Sequence, residues 1–197
     1  MTETILNNDD IVRLDTIAKI GADKIAGALS KWTGLKIKAH SSNASIVHYS
    51  KLLEPSFSPE DIVTAILIRI SGSTGGYLIF LFDERSVLTI IKKILHKEID
   101  SVLDLDNLSS SVMEETGNII GTAFLNTIAA NFNIEMYPSS PVTASDLCGA
   151  ILESLMAQFA IRGEYALSCQ ISFNSDNDEI KGIFSMLPDD INAWKSL

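Results

Sequence analysis

Three polar residues whose side chains could act together lie within one short stretch of the chain: Ser111, Glu115 and Asn118. Apolar residues recur at helical spacing from residue 109 to 132, which predicts one long helix that runs into a short strand. Separations of four and three residues place the three polar side chains on one face of that helix. A carboxylate and a carboxamide one turn apart then form a compact polar patch on a rigid rod. Taken alone, the same pair is also what an ordinary solvated helix face shows.

A glycine interrupts the predicted helix beside this patch, at Gly117. Glycine in a helix interior costs about 1 kcal/mol relative to alanine. Its position therefore predicts that another group approaches the helix backbone closely at this point.

The elements around this helix follow from hydrophobic periodicity and turn residues. A first long helix is predicted over residues 10–32, with Asp9 or Asp10 as its cap and Gly34 as its stop. Strands are predicted over residues 35–39, 45–53, 62–70, 77–82, 164–173 and 180–187, with a short helix over 83–95, a helix over 144–160 and a closing helix from Asp189 that carries Trp194.

The two halves of the chain share one plan. Residues 19–37 align with residues 118–136 at an offset of 99, and residues 76–84 align with residues 182–190. Each half reads as a helix, a strand, a hairpin and a short trailing helix, and neither half alone has enough sheet to cover its helix.

The repeat predicts a single α+β domain over residues 1–197, with repeats over about 10–97 and 106–197 related by a pseudo-twofold axis. Its expected architecture is a mostly antiparallel sheet of about six strands, with the two long helices packed on one face. Because such a chain can complete its own sheet, we expect a monomer.

Composition limits the classes of partner. The chain is globular by composition, and its net charge of −10 argues against binding to a nucleic-acid backbone, which needs a basic surface. No apolar run reaches the roughly 18 residues of a membrane span, and the N-terminus has no signal-peptide pattern. We therefore expect a cytoplasmic protein that does not bind a membrane. Cys148 and Cys169 lie in apolar stretches, which predicts buried thiols in a reducing compartment.

Two weaker signals predict no chemistry. His40, His48 and His96 are scattered, with no cysteine or carboxylate at ligand spacing, so we expect no metal site. The glycine-rich residues 72–76 are not followed by a lysine and a helix, as a phosphate-binding loop requires, and are predicted to form a hairpin turn.

The spacing Ser111-x3-Glu115-x2-Asn118-x22-Pro141 resembles the active-site motif of the CheC/CheX/FliY phosphatases of bacterial and archaeal chemotaxis. In that family an Asp or Ser is followed by Glu, by Asn and then, after 22 residues, by Pro. The neighbouring text GNIIGTAFLN, YPSSP and SDLCGAIL also resembles CheC, and IGADKIAGALSKWTG is similar to the family's first helix. The resemblance spans essentially the whole chain, and the two-repeat layout is closer to CheC than to CheX.

The first long helix departs from the family pattern. CheC proteins typically carry a second Glu and Asn there, and the repeat alignment places Thr16 and Lys19 at those positions, with Val12 in place of the preceding Asp or Ser. A lysine amine only donates hydrogen bonds, so it cannot hold a water as a carboxamide can. The resemblance thus implies one intact site and a degenerate first site at Thr16 and Lys19.

The resemblance also implies roles for the site residues. CheC-like enzymes hydrolyse the aspartyl phosphate of a receiver domain, the phosphorylated form of CheY. Asn118 would orient the attacking water, Glu115 would contact the active-site lysine of the receiver, and Ser111 would border the site, bonding Glu115 or the partner. Pro141 would shape the loop beside the helix.

Further expectations concern the approach of the partner and the metal. Gly117 and Gly121 would let the loops of the receiver come close to the helix. The Mg²⁺ of the reaction would be held by the receiver, so no cofactor is expected in this chain.

Two other functions fit the same resemblance. The chain could be a non-catalytic adaptor that binds a receiver, a CheD-type deamidase or the flagellar switch, whose FliM component has a related domain. It could also be a phosphatase in a signalling pathway other than motility. The intact pair Glu115 and Asn118 favours catalysis, whereas the lost first site keeps the adaptor function open.

Overall fold

The computed structural model describes the elements of the chain over residues 8–41, 45–48, 57–159, 165–168, 171–175 and 180–189. Within these ranges the helices are α1 (Asn8–Thr33), α2 (Glu84–Leu95), α3 (Asn107–Phe132) and α4 (Cys148–Phe159), with a short 3₁₀ helix over Val102–Asp104. The strands are β1 (Ile37–Ser41), β2 (Ser45–His48), β3 (Ile62–Gly72), β4 (Gly76–Asp83), β5 (Met136–Pro138), β6 (Val142–Leu147), β7 (Tyr165–Ser168), β8 (Ile171–Ser175) and β9 (Lys181–Pro188).

The described residues form one seven-stranded sheet in the order β1-β8-β9-β4-β3-β5, with β6 also paired to β3. Every pairing in this sheet is antiparallel. The predicted α+β class is confirmed. The sheet has one strand more than expected because β5 and β6 both pair with the long strand β3, while β2 and β7 form a separate pair.

Helices cover both faces of the sheet. Even-numbered side chains of β3 and β4, such as Ile66 and Phe80, are buried in a core shared with α1, α2 and α3. Odd-numbered side chains such as Val63 and Ile79 are buried in a second core with Leu155 of α4. Burial on both faces explains why these strands are apolar almost throughout and do not alternate. The two long helices lie on one face as predicted, and α4 covers the other.

The long helices α1 and α3 pair with each other across the face of the sheet. Each has 26 residues, and their ends correspond at the offset of 99 found in the sequence. They run antiparallel, since Gly21 of α1 lies against Phe124 of α3 while Trp32 of α1 bonds Thr116 of α3. A Cβ atom on Gly21 would collide with the Phe124 ring, so this glycine allows the helices to pack closely.

The strands of the two halves are interleaved. β1 pairs with β8 from the second half, and β5, the counterpart of β1, pairs with β3 from the first half. The strands β4 and β9 pair at the centre of the sheet. The assignment of the whole chain to one domain of two repeats stays a prediction.

One predicted boundary is wrong. Residues 144–147, expected to begin a helix, continue β6, and α4 begins only at Cys148. These residues pair with β3 in the register from Ile62 opposite Leu147 to Leu67 opposite Val142. Pairing with an existing strand outweighs the local helical pattern of this segment.

Several predictions fall partly or wholly outside the described residues. The predicted strand over 164–173 appears as β7 and β8, with residues 169–170 between them not described. Residues 49–53 and the closing helix with Trp194 are also outside the described part, as is Cys169. Cys148 is buried as predicted. None of the described helices is both long and apolar enough to cross a membrane.

Candidate active site on the long helix α3

The start of α3 is held by a charged cap. Asp106 accepts a hydrogen bond from the backbone N–H of Ser109 at 2.8 Å and another from Lys97 Nζ at 2.6 Å. The hydrogen bond from Lys97, followed by those from Ser109, keeps the pKa of the Asp106 carboxyl well below its usual range. The helix end that leads to Ser111 is thereby anchored by a cap and an ion pair.

The three polar residues lie exposed on one face of α3. Asn118 Nδ2 is 3.5 Å from Glu115 Oε2, the long limit of a hydrogen bond, so the carboxamide stays available to a water or a partner. The Ser111 hydroxyl donates to the carbonyl oxygen of Asn107 at 2.8 Å and does not bond Glu115. Because Asn118 is exposed, its carboxamide is accessible to a water or to a partner protein.

An open groove of about 480 Å³ runs along this face of α3. One wall carries Ser111, Glu114, Glu115 and Asn118, and residues 138–141 form the other wall. We call this space the α3–bulge groove. The sequence reasoning missed Glu114, although its separation of four residues from Asn118 places both on one helix face.

The second wall of the groove is a β-bulge. β5 ends opposite Ile70 of β3, and β6 begins opposite Leu67, so two residues of β3 face the three residues 139–141. A bulge of this kind turns one strand away from its partner and is often found beside functional sites. Here it brings residues 139–141 against α3.

Ser139 stabilises the bulge, and Pro141 is compatible with it. The backbone N–H of Ser139 donates to the Arg69 carbonyl oxygen at 2.8 Å, and its hydroxyl oxygen accepts from the Arg69 N–H at 3.0 Å. Pro141 can occupy a bulge because proline has no N–H to offer the strand ladder. Neither Ser139 nor its neighbour Ser140 was singled out from the sequence, although both lie within the YPSSP text.

The expected role of the two glycines is wrong. Gly117 and Gly121 are both buried, on the side of α3 that faces the sheet. A Cβ atom on Gly117 would lie 2.5 Å from Ile66 Cγ2 and 3.3 Å from Pro141 Cβ, and one on Gly121 would lie 2.6 Å from Ile68 Cδ1. The group that approaches the helix closely is strand β3 with its bulge, not a partner protein.

A hydrogen bond from α1 supports α3 directly behind the exposed face. Thr116 is buried between Glu115 and Gly117, and its hydroxyl donates to the Val112 carbonyl oxygen at 2.7 Å. The same oxygen accepts from Trp32 Nε1 at 2.9 Å. The turn of α3 that carries Glu115 is therefore held by both the sheet and α1.

The residues predicted to form a degenerate first site lie on α1. Thr16 and Lys19 are exposed there, and Val12, at the position that matches Ser111, is 61% exposed. The Thr16 hydroxyl donates to the Val12 carbonyl oxygen at 2.9 Å. Because α1 and α3 are antiparallel, these residues lie toward the opposite end of the helix pair from Asn118, and they offer neither a carboxylate nor a carboxamide.

The chemistry available in the α3–bulge groove is limited to binding and orientation. A carboxamide both donates and accepts hydrogen bonds, so Asn118 can hold a water, and Glu115 and Glu114 can receive a cationic group. The groove lining has no histidine, cysteine or lysine. In the part of the chain that the structure covers, no three His, Cys, Asp or Glu side chains are grouped as metal ligands. Such a groove can complete a reactive centre that a partner brings.

The fold is that of the CheC-like proteins. The solved structure of Thermotoga maritima FliY matches with a TM-score of 0.73 at 14% identity, covering 98% of this chain and 95% of that chain. A chain of the FliG–FliM complex from H. pylori matches with a TM-score of 0.67 at 10% identity, covering 98% and 100%. A chain of the CheX–CheY–BeF₃–Mg²⁺ complex from Borrelia burgdorferi matches with a TM-score of 0.56 at 15% identity, covering 86% and 96%.

The sequence is also similar to that of a phosphatase. The CheY-P phosphatase CheC of Bacillus subtilis (strain 168) is 28% identical over 185 residues, which cover 91% of this chain and 87% of that protein. No family model matches the chain. The predicted resemblance to the CheC-like chemotaxis phosphatases is thus confirmed over nearly the whole length.

Proposed function

We propose that this protein is a phosphatase that hydrolyses the aspartyl phosphate of a CheY-type response regulator. The observation that supports this most is the exposed pair Glu115 and Asn118 at the edge of an open groove, on a helix held rigidly from behind. The similarity to a CheY-P phosphatase supports the same substrate class. A further supporting fact is that a structural neighbour is crystallised together with CheY, BeF₃ and Mg²⁺.

In this proposal the receiver brings the phosphoryl group, the Mg²⁺ and a lysine, and this chain adds an oriented water. The Asn118 carboxamide hydrogen-bonds the water and aims its oxygen in line with the phosphorus. A bond forms between that oxygen and phosphorus as the bond from phosphorus to the receiver's carboxylate oxygen breaks. The proton of the water passes to phosphate or solvent, and the products are inorganic phosphate and a free carboxylate. Asn118 positions the water and does not act as a base.

Glu115 sets the docking register in this proposal. Its carboxylate is exposed one turn from Asn118, where it can pair with the lysine of the receiver. Glu114 adds a second negative charge to the same groove. The bulge at residues 139–141 is the opposite wall, and two hydrogen bonds between Ser139 and Arg69 fix that wall to strand β3.

The second candidate function is a non-catalytic adaptor that binds a receiver, a CheD-type deamidase or the flagellar switch. The absence of a Glu and Asn pair at Thr16 and Lys19 favours this candidate, since one of the two sites has already lost its chemistry. The shared fold with a chain of the FliG–FliM complex also fits it. We propose in either case a cytoplasmic monomer with no metal of its own.

The deciding experiment measures phosphate release from a phosphorylated CheY-type receiver, with wild type, Asn118→Ala and Asn126→Ala. Asn126 is an exposed asparagine of α3 outside the groove and serves as the matched control. We expect wild type and Asn126→Ala to accelerate release equally, and Asn118→Ala to lose about 100-fold or more, because the water is no longer positioned.

The other outcomes separate the two candidates. If wild type binds the phosphorylated receiver but leaves its decay unchanged, the protein is an adaptor on a phosphatase fold. If wild type neither binds nor accelerates decay with several receivers, the proposed substrate class is wrong.

A further inference from the structure

A second groove, of about 630 Å³, lies between α1 and α3 on the other flank of Asn118. Its floor consists of Gly27, Ala28, Trp32, Ile119 and Ala123, and its rim carries Asp23, Lys24 and Lys31. We call it the α1–α3 groove. Its floor is apolar and its rim includes two cations, whereas the α3–bulge groove is polar and acidic.

The α1–α3 groove exists because its floor is made mainly of small side chains. Gly27 and Ala28 of α1 face Ala123 of α3, and a Cβ atom built on Gly27 would meet nothing within 4 Å. Ile119 and Trp32 are only half-buried, so apolar surface stays open to a partner. A well-packed helix pair would fill such a space with larger residues.

The two lysines lie along one edge of this groove. Lys24 and Lys31 are seven residues apart, two helical turns, which places them on the same side of α1 about 10 Å from each other. Both are exposed, and neither forms an ion pair with any other described residue. With Asp23 beside Lys24, the rim keeps an excess of positive charge, which favours a partner that presents carboxylates.

The groove borders the proposed site on α3. Ile119 follows Asn118 directly, and Ala123 lies just over one turn further along α3. A specific protein complex covers about 800 Å² on each partner, far more than the side chains of Glu115 and Asn118. A rigid partner seated over Asn118 must therefore also cover the surface on either side of it.

We propose that the α1–α3 groove is the second half of the docking surface for the receiver domain, a step that rests on the proposed phosphatase function. It accepts an apolar side chain of the receiver that is bordered by carboxylates. A receiver that holds Mg²⁺ beside its phosphoryl group carries carboxylates there, because carboxylates are the ligands of that ion. Asn118 then lies on a ridge between the two grooves. The acidic α3–bulge groove receives the cation of the receiver, and the lysines of the α1–α3 groove meet its carboxylates.

The charges favour a receiver over a second copy of this chain. In a twofold dimer the same patch meets itself, and each copy brings two lysines but only one carboxylate, Asp23, so one lysine of each copy would lack an acidic partner from this rim. Like charges brought together in an interface are unfavourable. The rim therefore favours a partner that presents negative charge to it.

The test uses the full chain and a CheY-type receiver domain loaded with beryllofluoride and Mg²⁺. Gly27→Gln adds a long polar side chain to the lining of the groove, at a position where a Cβ atom meets nothing within 4 Å, and the double variant Lys24→Glu/Lys31→Glu reverses the charge of its two lysines. Lys93→Glu on α2 is an exposed charge reversal outside both grooves and serves as the control. Kd is measured by titration, and kcat and KM are measured with the phosphorylated receiver.

We expect both groove variants to raise Kd and KM about tenfold or more while kcat stays within about twofold of wild type. The effect of the charge reversal should shrink at high salt, and that of Gly27→Gln should not. Lys93→Glu should bind as wild type does. Circular dichroism and urea unfolding will show that each variant is folded.

Three results would overturn the proposal. Folded groove variants that bind as tightly as wild type would exclude the groove from docking, and so would variants that lower kcat alone. A wild-type dimer that Gly27→Gln dissociates would make a second copy the occupant. The proposed function and the proposed groove fail by different results. Full activity of Asn118→Ala would refute the phosphatase function. An inactive Asn118→Ala variant together with normal binding by the groove variants would refute only the docking role of the groove.

Discussion

Trp32 of α1 donates its indole N–H to the hydroxyl oxygen of Thr116 of α3 over 2.9 Å, across 84 residues of sequence. The bond lies directly behind the helical turn that carries Glu115 and Asn118. It has no counterpart at the other end of the helix pair, because the positions offset by 99 are Ile17 and Asn131, and an isoleucine cannot accept it. A residue of the first half of the chain therefore supports the candidate site of the second half.

Removing this bond is expected to cost stability. Trp32→Phe should lower the free energy of unfolding by about 0.5–1.5 kcal/mol through the hydrogen bond alone, with any loss of packing in addition. Thr116→Val should cost a similar amount, and the double variant should cost less than the sum because the two residues share one bond. Urea unfolding of the three variants measures this coupling, and strictly additive losses would show that the bond contributes nothing.

Gly117→Ala should destabilise the protein although alanine is the better helix former. The new Cβ atom would press on Ile66, which is fully buried, and on Pro141, so we expect a net loss of about 1–3 kcal/mol from overpacking. Gly27→Ala is the matched control, since its Cβ atom has open space and should raise stability by about 0.5–1 kcal/mol. Equal effects of the two substitutions in urea unfolding would mean that α3 is not seated tightly on β3.

Glu115→Ala should weaken both docking and turnover. Loss of the carboxylate removes the group that we propose pairs with the cation of the receiver, and we expect kcat/KM to fall between about 10-fold and 100-fold. Thr16→Ala and Lys19→Ala, at the degenerate site, should leave kcat/KM within about twofold of wild type. Steady-state kinetics with a phosphorylated receiver decides the point, and a large effect at Lys19 would show that α1 also takes part.

The cap of α3 should make stability depend on acid pH. The pKa of Asp106 is lower in the folded state than in the unfolded state, where it is about 4. The carboxylate therefore stabilises the fold at pH values above the unfolded-state pKa. This contribution is lost as the pH falls toward the folded-state pKa. Asp106→Asn keeps a side chain that can cap the helix but removes the charge. Unfolding midpoints of wild type and variant should differ most near neutral pH and converge on acidification. A gap that stays constant down to pH 3 would contradict this assignment.

Local pattern was sufficient to identify the exposed face of α3. The side chains of Ser111, Glu115 and Asn118 share one face because an α-helix has a fixed period, and this needs no knowledge of the rest of the fold. The same reasoning predicted both long helices, most strands and the α+β class. The degenerate first site at Thr16 and Lys19 stays a prediction, which rests on residue type alone.

Contacts between residues far apart in sequence determine the features of the candidate site that the local pattern does not predict. The register of β5 and β6 on β3 creates the bulge that places Pro141 against Gly117, and the same pairing keeps residues 144–147 in a strand. The burial of Gly117, the bond from Trp32 and the groove beside Asn118 depend on how α3 docks on β3 and α1. These features arise from packing between segments far apart in sequence, and the periodicity of a single segment carries no information about which neighbour it will meet.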